Sequence, residues 1–176
     1  DYINCGNDTS LTPTSQFSIS MWFKTSISQS SKRLINKSHS TNPYTSYFIR
    51  LKSTDVLEFK CTTGTHTEVA IVGNTNVVDG NWHNLVATYN GSNMNLYVDG
   101  SSDATAVSQT GAINVGTGSL AIGAELVLGQ SSPSNEYTGQ ISNVAIWNTA
   151  LTFSQVREIY NEGLPSNLKS HSAYSN

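Results

Sequence analysis

The chain has 176 residues and a formal net charge of -3, which suits one domain of ordinary size. Only 12% of residues are charged and 37% are apolar, while Ser, Thr and Asn together supply more than a third, so a disordered polyelectrolyte is excluded. Lys32 and Arg33 are the only adjacent basic pair and no apolar run approaches the roughly 18 residues that cross a bilayer, so neither a nucleic-acid partner nor membrane insertion is expected.

Short alternating runs between clusters of Gly, Asn, Asp and Ser predict an all-β sandwich. The chain opens on a strand-like Asp1 to Cys5 with no initiator Met, which suggests a piece of something longer. Phe17 to Lys24 places Phe17, Ile19, Met21 and Phe23 on one face. Tyr44 to Lys52 does the same for Tyr47, Ile49 and Leu51, and Val56 to Thr62 for Leu57, Phe59 and Cys61, with Glu58 expected toward solvent. Trp82 to Tyr89 and Met94 to Val98 read as a hairpin about Asn90 to Asn93, and Asp99-Gly100 turns the chain again. Weaker runs follow at Ala104 to Val107 and Leu120 to Gly123, before a last long strand at Tyr137 to Trp147.

One segment breaks this pattern. Thr152 and Gln155 have capping-box spacing ahead of Val156 to Tyr160, with Gly163 and Pro165 as stop signals, and predict one short helix. Residues 1–163 are therefore read as the domain and residues 164–176 as a polar, strand-poor tail or linker. Cys5 and Cys61 sit in strand-like contexts that suit small buried hydrophobes, and a bridge between them stays open at this stage.

Several motifs now stand in order: Asp79 to Tyr89 (DGNWHNLVATY), Leu96 to Gly100 (LYVDG), Leu120 to Gly123 (LAIG) and Gly139 to Leu151 (GQISNVAIWNTAL), followed by the short helix. Together with Tyr2 to Gly6 and Phe17 to Lys24, they resemble the laminin-G-like branch of the concanavalin A-like lectin/glucanase superfamily. The resemblance implies a jelly-roll sandwich of two antiparallel sheets with first and last strands paired. Tyr160 to Asn167 (YNEGLPSN) is also similar to domains of marine bacteriophage virion proteins, which implies neighbouring virion or extracellular protein domains as partners.

Glycosidases need two carboxylates facing each other at roughly 5 to 10 Å. No E-x-D-x-x-E pattern occurs, and Asp99, Asp103, Glu158 and Glu162 read as turn and surface residues, so no enzyme is expected. His39, His66, His83 and His171 have no zinc-ligand spacing, and His83 reads as a packing residue beside Trp82. Gly116 to Gly118 precedes a strand rather than opening a helix, so it is a turn and not a phosphate loop. Asn7, Asn36 and Asn90 begin Asn-x-Ser/Thr triplets of a kind that a Ser- and Thr-rich chain produces by chance.

The resemblance implies one structural calcium ion, for which Asn7, Asp8, Ser142 and Asn143 are the oxygen-bearing candidates. Ser142 stands where the family often has Asp, and Asp8 has a rival duty as a cap. Sugar recognition needs aromatic faces and planar polar groups at a rim. Alternate strand connections emerge at the same end, which brings Ser38 to Pro43 beside Thr62 to Thr67 and groups His39, Asn42, Tyr44 and His66. Glu125 to Glu136 is long for a hairpin connection and supplies the other candidates, Asn135 and the adjoining Tyr137. The expectation is a non-catalytic module that binds glycans or another cell-surface ligand on a virion or extracellular protein; the alternative is a structural spacer that binds no sugar.

Overall fold

A computed structural model describes residues 1–38, 45–64, 67–114, 116–127 and 132–174. Among the described residues twelve strands run in chain order: β1 (Ile3–Asn4), β2 (Phe17–Lys24), β3 (Arg33–Ser38), β4 (Thr45–Leu51), β5 (Leu57–Thr63), β6 (Thr67–Val72), β7 (Trp82–Tyr89), β8 (Asn93–Val98), β9 (Ser101–Ser102), β10 (Val107–Ser108), β11 (Leu120–Ile122) and β12 (Gln140–Trp147). They form two six-stranded sheets. The first has the order β1-β11-β3-β4-β5-β6; the second has β10-β8-β7-β2-β12, with β9 added beside β8. All strand-to-strand pairings are antiparallel. β1 pairs with β11 and β12 with β2, so the two ends of the chain interlock, although the very first strand does not pair with the very last.

The period-two alternation builds the core. Phe17, Ile19, Met21 and Phe23 of β2 are fully buried against Ile49, Leu51, Leu57, Phe59 and Cys61 of the opposite sheet. The ring of Phe17 lies 4.9 Å from Tyr47 and 5.9 Å from Phe59, centroid to centroid. Burial of each such side chain contributes about 1.5–3 kcal/mol. The phenols that enter this core keep a hydrogen bond: Tyr47 donates to the Leu11 carbonyl (2.9 Å) and Tyr89 to that of Gly111 (2.5 Å). Cys5 and Cys61 are both free thiols, and burial pushes the Cys61 thiol up to about 12.

Three expectations change. β3 and β6 do not stand out in the sequence, since β3 buries Asn36, Lys37 and Ser38 completely and so reads as polar. The run at Ala104 to Val107 contributes only the two-residue β10. Glu58, expected toward solvent, is 4% exposed because Arg50 (3.0 Å) and Lys52 (3.2 Å) close over it.

The helix α1 (Phe153–Tyr160) forms as its capping box predicts, with the Thr152 hydroxyl accepting from Gln155 N and the Gln155 side chain accepting from Thr152 N. It stops two residues before Gly163, where Asn161 turns left-handed (φ 46) and its N–H bonds to the Arg157 carbonyl. Val156 and Ile159 pack on Val86, Trp147 and Leu151, which covers part of the second sheet's outer face. No helix among the described residues is long and apolar enough to cross a membrane.

Residues 164–174 contain no strand and pack in part on the helix. Leu168 and Ala173 join the helix cluster, and His171 is 5% exposed with its ring 4.9 Å from that of Trp147. Its Nε2 donates to the Gln155 carbonyl (3.0 Å), while Nδ1 accepts from Ala173 N (3.1 Å). Truncation after Gly163 is expected to leave the sandwich folded but to cost about 2 kcal/mol, the scale of one apolar side chain re-exposed. For a chain of this length that is a fall of about 4–8 °C in melting temperature, and an unmoved thermal transition would show the segment to be passive.

Candidate functional site

In the first sheet, β3–β4 and β5–β6 close at the same end, with Ser38 opposite Thr45 and Thr63 opposite Thr67. β4 and β5 are neighbours, so the strand ends at Ser38, Thr45, Thr63 and Thr67 share one end of the sheet. His39, Asn42, Tyr44 and His66 lie outside the described residues. Asn135 and Tyr137 are described, and each is already engaged. Asn135, left-handed at φ 50, donates through Nδ2 to Glu125 (2.5 Å) and accepts from Arg33 N. Tyr137 is 6% exposed in the core and donates to the Lys24 carbonyl (3.0 Å), so it offers no ring face to a ligand.

The outer face of the first sheet carries charge around one ring. The Arg33 guanidinium lies 3.8 Å from the Phe48 ring centroid, with Arg50 at 5.3 Å and Lys60 at 5.8 Å. Glu125 pairs with Arg33, Glu58 with Arg50 and Lys52, and Glu68 with Lys60. Burial alone would raise the Glu58 carboxyl, but hydrogen bonds from Arg50 and Lys52 outweigh it and hold the group below its ordinary value. These acids are therefore ion-pair partners in a packed face.

Asp79 and Asp99 both converge on His83, whose imidazole fills the space between them: Nδ1 is 2.8 Å from Asp99 and Nε2 is 3.1 Å from Asp79. Asp103 bonds to Thr75 and Asp55 accepts from Ser28. None of these arrangements leaves two carboxylates facing across an open gap, as sugar hydrolysis requires.

The calcium candidates do not converge. Asp8 caps the 3-10 turn Thr9–Leu11 by accepting from Ser10 N, and the side-chain oxygen of Asn7 accepts from the Lys37 ammonium. Thr9 and Ser10 line a depression with Trp147 and Asn148, at the far end of β12 from Ser142. The five residue steps from Ser142 to Trp147 span roughly 15 Å of extended chain. Ser142 and Asn143 hydrogen-bond to each other (2.6 Å) with no carboxylate between them, and no three acidic, His or Cys side chains cluster for a metal among the described residues. This set does not fit a hard cation, which wants six to eight oxygens.

The outer face of the second sheet holds what sequence reasoning missed. Register places Trp82, Lys24 and Gln140 in one cross-strand row and Asn84, Trp22 and Ser142 in the next. Beyond Ser142 the register shifts, with Asn143 left-handed at φ 49. Trp22 stacks on Tyr160 of the helix at 6.0 Å and 20°. Past the helix, Asn161, Glu162 and Gly163 are all left-handed (φ 46, 55 and 90) and bring the chain back over the sheet. The result is a groove of about 300 Å³ lined by Trp22, Trp82, Ser142, Gly163 and Pro165. Trp82 is 42% exposed there, whereas His83 beside it is buried. The available signal was the alternation itself: with Phe23 and Leu85 inward, Trp22, Lys24 and Trp82 had to face out.

With this geometry in view, comparison with known proteins assigns the family. The chain belongs to the concanavalin A-like lectin/glucanases superfamily, whose laminin G-type family model matches residues 1–157. No curated protein matches the chain in sequence. Among solved structures it is similar to a heptameric SAP-like pentraxin from Limulus polyphemus, at 19% identity and a TM-score of 0.64, with 85% of this chain and 71% of that one covered. The binding domain of Paraclostridial Mosquitocidal Protein 1 gives 16% identity and a TM-score of 0.72, over 92% of this chain and 41% of that one. A protein from Bacteroides ovatus named for carbohydrate binding gives 15% and 0.71, over 97% and 46%. The chain thus spans less than half of the latter two, and at these identities the likeness is one of fold.

Two outcomes follow from the site chemistry. The hydrogen bond to Asp99 raises the His83 pKa above its ordinary value, with Asp79 adding to it and burial opposing it. A raised folded value means stabilisation that is complete below the unfolded pKa of about 6.5 and is lost as pH climbs through the folded one. The melting temperature should therefore decline across that window, and His83→Gln should flatten the decline; an unchanged slope would remove His83 as its source. Chelation with EDTA should leave the melting transition where it is, and a drop would reveal a calcium site assembled from other residues.

Proposed function

We propose that the domain is a non-catalytic recognition module that binds glycans or another cell-surface ligand, as part of a larger extracellular or virion-surface protein. The observation that carries this reading is the groove on the second sheet, where the exposed Trp82 ring stands beside Trp22, Pro165 and the Ser142 hydroxyl. An aromatic face takes the apolar side of a pyranose, and hydroxyl and amide groups satisfy its hydroxyls. Support comes also from the carboxylates, which are engaged in caps, ion pairs and the His83 pair, and from the Bacteroides ovatus relative named for carbohydrate binding. The β3–β4 and β5–β6 rim, with His39, Asn42, Tyr44 and His66, is proposed as a second contact region.

A shallow sugar site is weak alone, so affinity would rest on multivalent presentation. A tetramerised domain on a glycan array is expected to bind, and Trp82→Ala is expected to lower apparent affinity at least about tenfold, or 1.4 kcal/mol. Tyr44→Ala and His66→Ala test the rim in the same assay: loss of binding places ligand there, and retention removes the rim. An array with no bound glycan would overturn the reading in favour of a spacer domain that contacts neighbouring protein chains.

A further inference from the structure

We infer that the ligand of the Trp22–Trp82 groove is an acidic pyranose, a sugar ring that carries a negatively charged substituent. This rests on the glycan reading of the groove and adds the charge of the sugar.

The inference begins with the distribution of ion pairs. On the first sheet the cations Arg33, Arg50, Lys52 and Lys60 all have carboxylate partners. Lys24, like Lys32, Lys37, Arg157 and Lys169, has no ion pair among the described residues; Lys37 is instead buried on Asn7 and the Gly118 carbonyl, whereas Lys24 stands beside the exposed Trp82. Alternation along β2 turns Lys24 to the same face as Trp22, and register sets it between Trp82 and Gln140. The residues that line the groove are uncharged. Lys24 is thus the one charge in the two cross-strand rows that floor this region, on a four-carbon stem able to follow a ligand.

The lining of the groove holds no acid. Asp79 accepts from Asn81 and contacts His83, with the backbone bond from Asn81 holding its carboxyl down at about 2. Glu162 lines a separate depression with Asp99, Phe153 and Arg157. A ring stacked on Trp82 would lie in a groove walled by the Ser142 hydroxyl, with Lys24 next to Trp82 in its cross-strand row and Gln140 one strand beyond. Charge complementarity selects a sugar with a carboxylate or sulfate over its neutral counterpart, by the few-fold margin of a partly exposed ion pair.

The test is a titration of the intact chain, followed by Trp fluorescence or calorimetry, with three oligosaccharides of equal length: glucose-based, glucuronate-containing and sulfated. At low salt at least one acidic sugar should bind about fivefold more tightly than the neutral one, and the gap should close near 1 M salt. Lys24→Gln should bring the ratio of acidic to neutral affinity to about one, while Lys60→Gln, a charge control on the outer face of the other sheet, should keep it; melting curves confirm that both variants fold. The carboxylated and sulfated arms tell which anion is preferred. Equal affinity for acidic and neutral sugars, with Trp82→Ala weakening both, would overturn this inference and leave the glycan reading standing. Binding of none of the three at this groove would overturn both.

Discussion

The structure depends on a single constraint acting on β2: in an extended chain successive side chains must point to opposite faces. The strand lies between β7 and β12 in the second sheet. Its odd-numbered members, Phe17 to Phe23, make the centre of the core, and its even-numbered members, Ser18 to Lys24, face the helix and the groove. A one-residue slip would exchange the two sets and lose both at once. The same eight residues therefore couple stability to the candidate binding surface.

The two outer faces use their polar residues differently. On the first sheet, Phe48 is enclosed by cations, and those cations by carboxylates, so charge is consumed within the face. On the second, Ser18 and Ser20 are buried beneath the return from β12 into the helix: Ser18 donates to the Thr149 carbonyl and accepts from Leu151 N, and the Trp147 indole donates to Ser20. That cover extends over Trp22, which stacks under Tyr160, and ends toward Lys24 and Trp82. This patch keeps the open ring face of Trp82, and Lys24 beside it has no ion pair among the described residues.

Much of the fold was legible from period and punctuation. The expected spans of β2 and β7 match those observed, the inward residues of β4 and β5 are those that alternation names, and the capping box starts the helix where it should. β3 escaped notice because its buried members include the polar Asn36, Lys37 and Ser38, and the partners of Lys37 arrive from distant segments: it donates to the Gly118 carbonyl and to Asn7. Glu58 looked solvent-facing for the same reason, since the cations that cover it stand on a neighbouring strand and across a turn. Tyr137 resembled a rim aromatic until the chain around it folded it into the core.

By itself, the sequence determined the class of fold, the inner faces and the helix, because these rest on interactions between residues a few positions apart and on the two-residue period of extended chain. Tertiary structure decided which polar residues are spent internally and which remain for a ligand. That choice turns on partners far away in the chain: residues 163 and 165 closing over Trp82, His171 docking on Trp147, and Asn143 bending β12 beside Ser142. Long-range packing has no local signature, so the groove became visible only once the strands were set side by side.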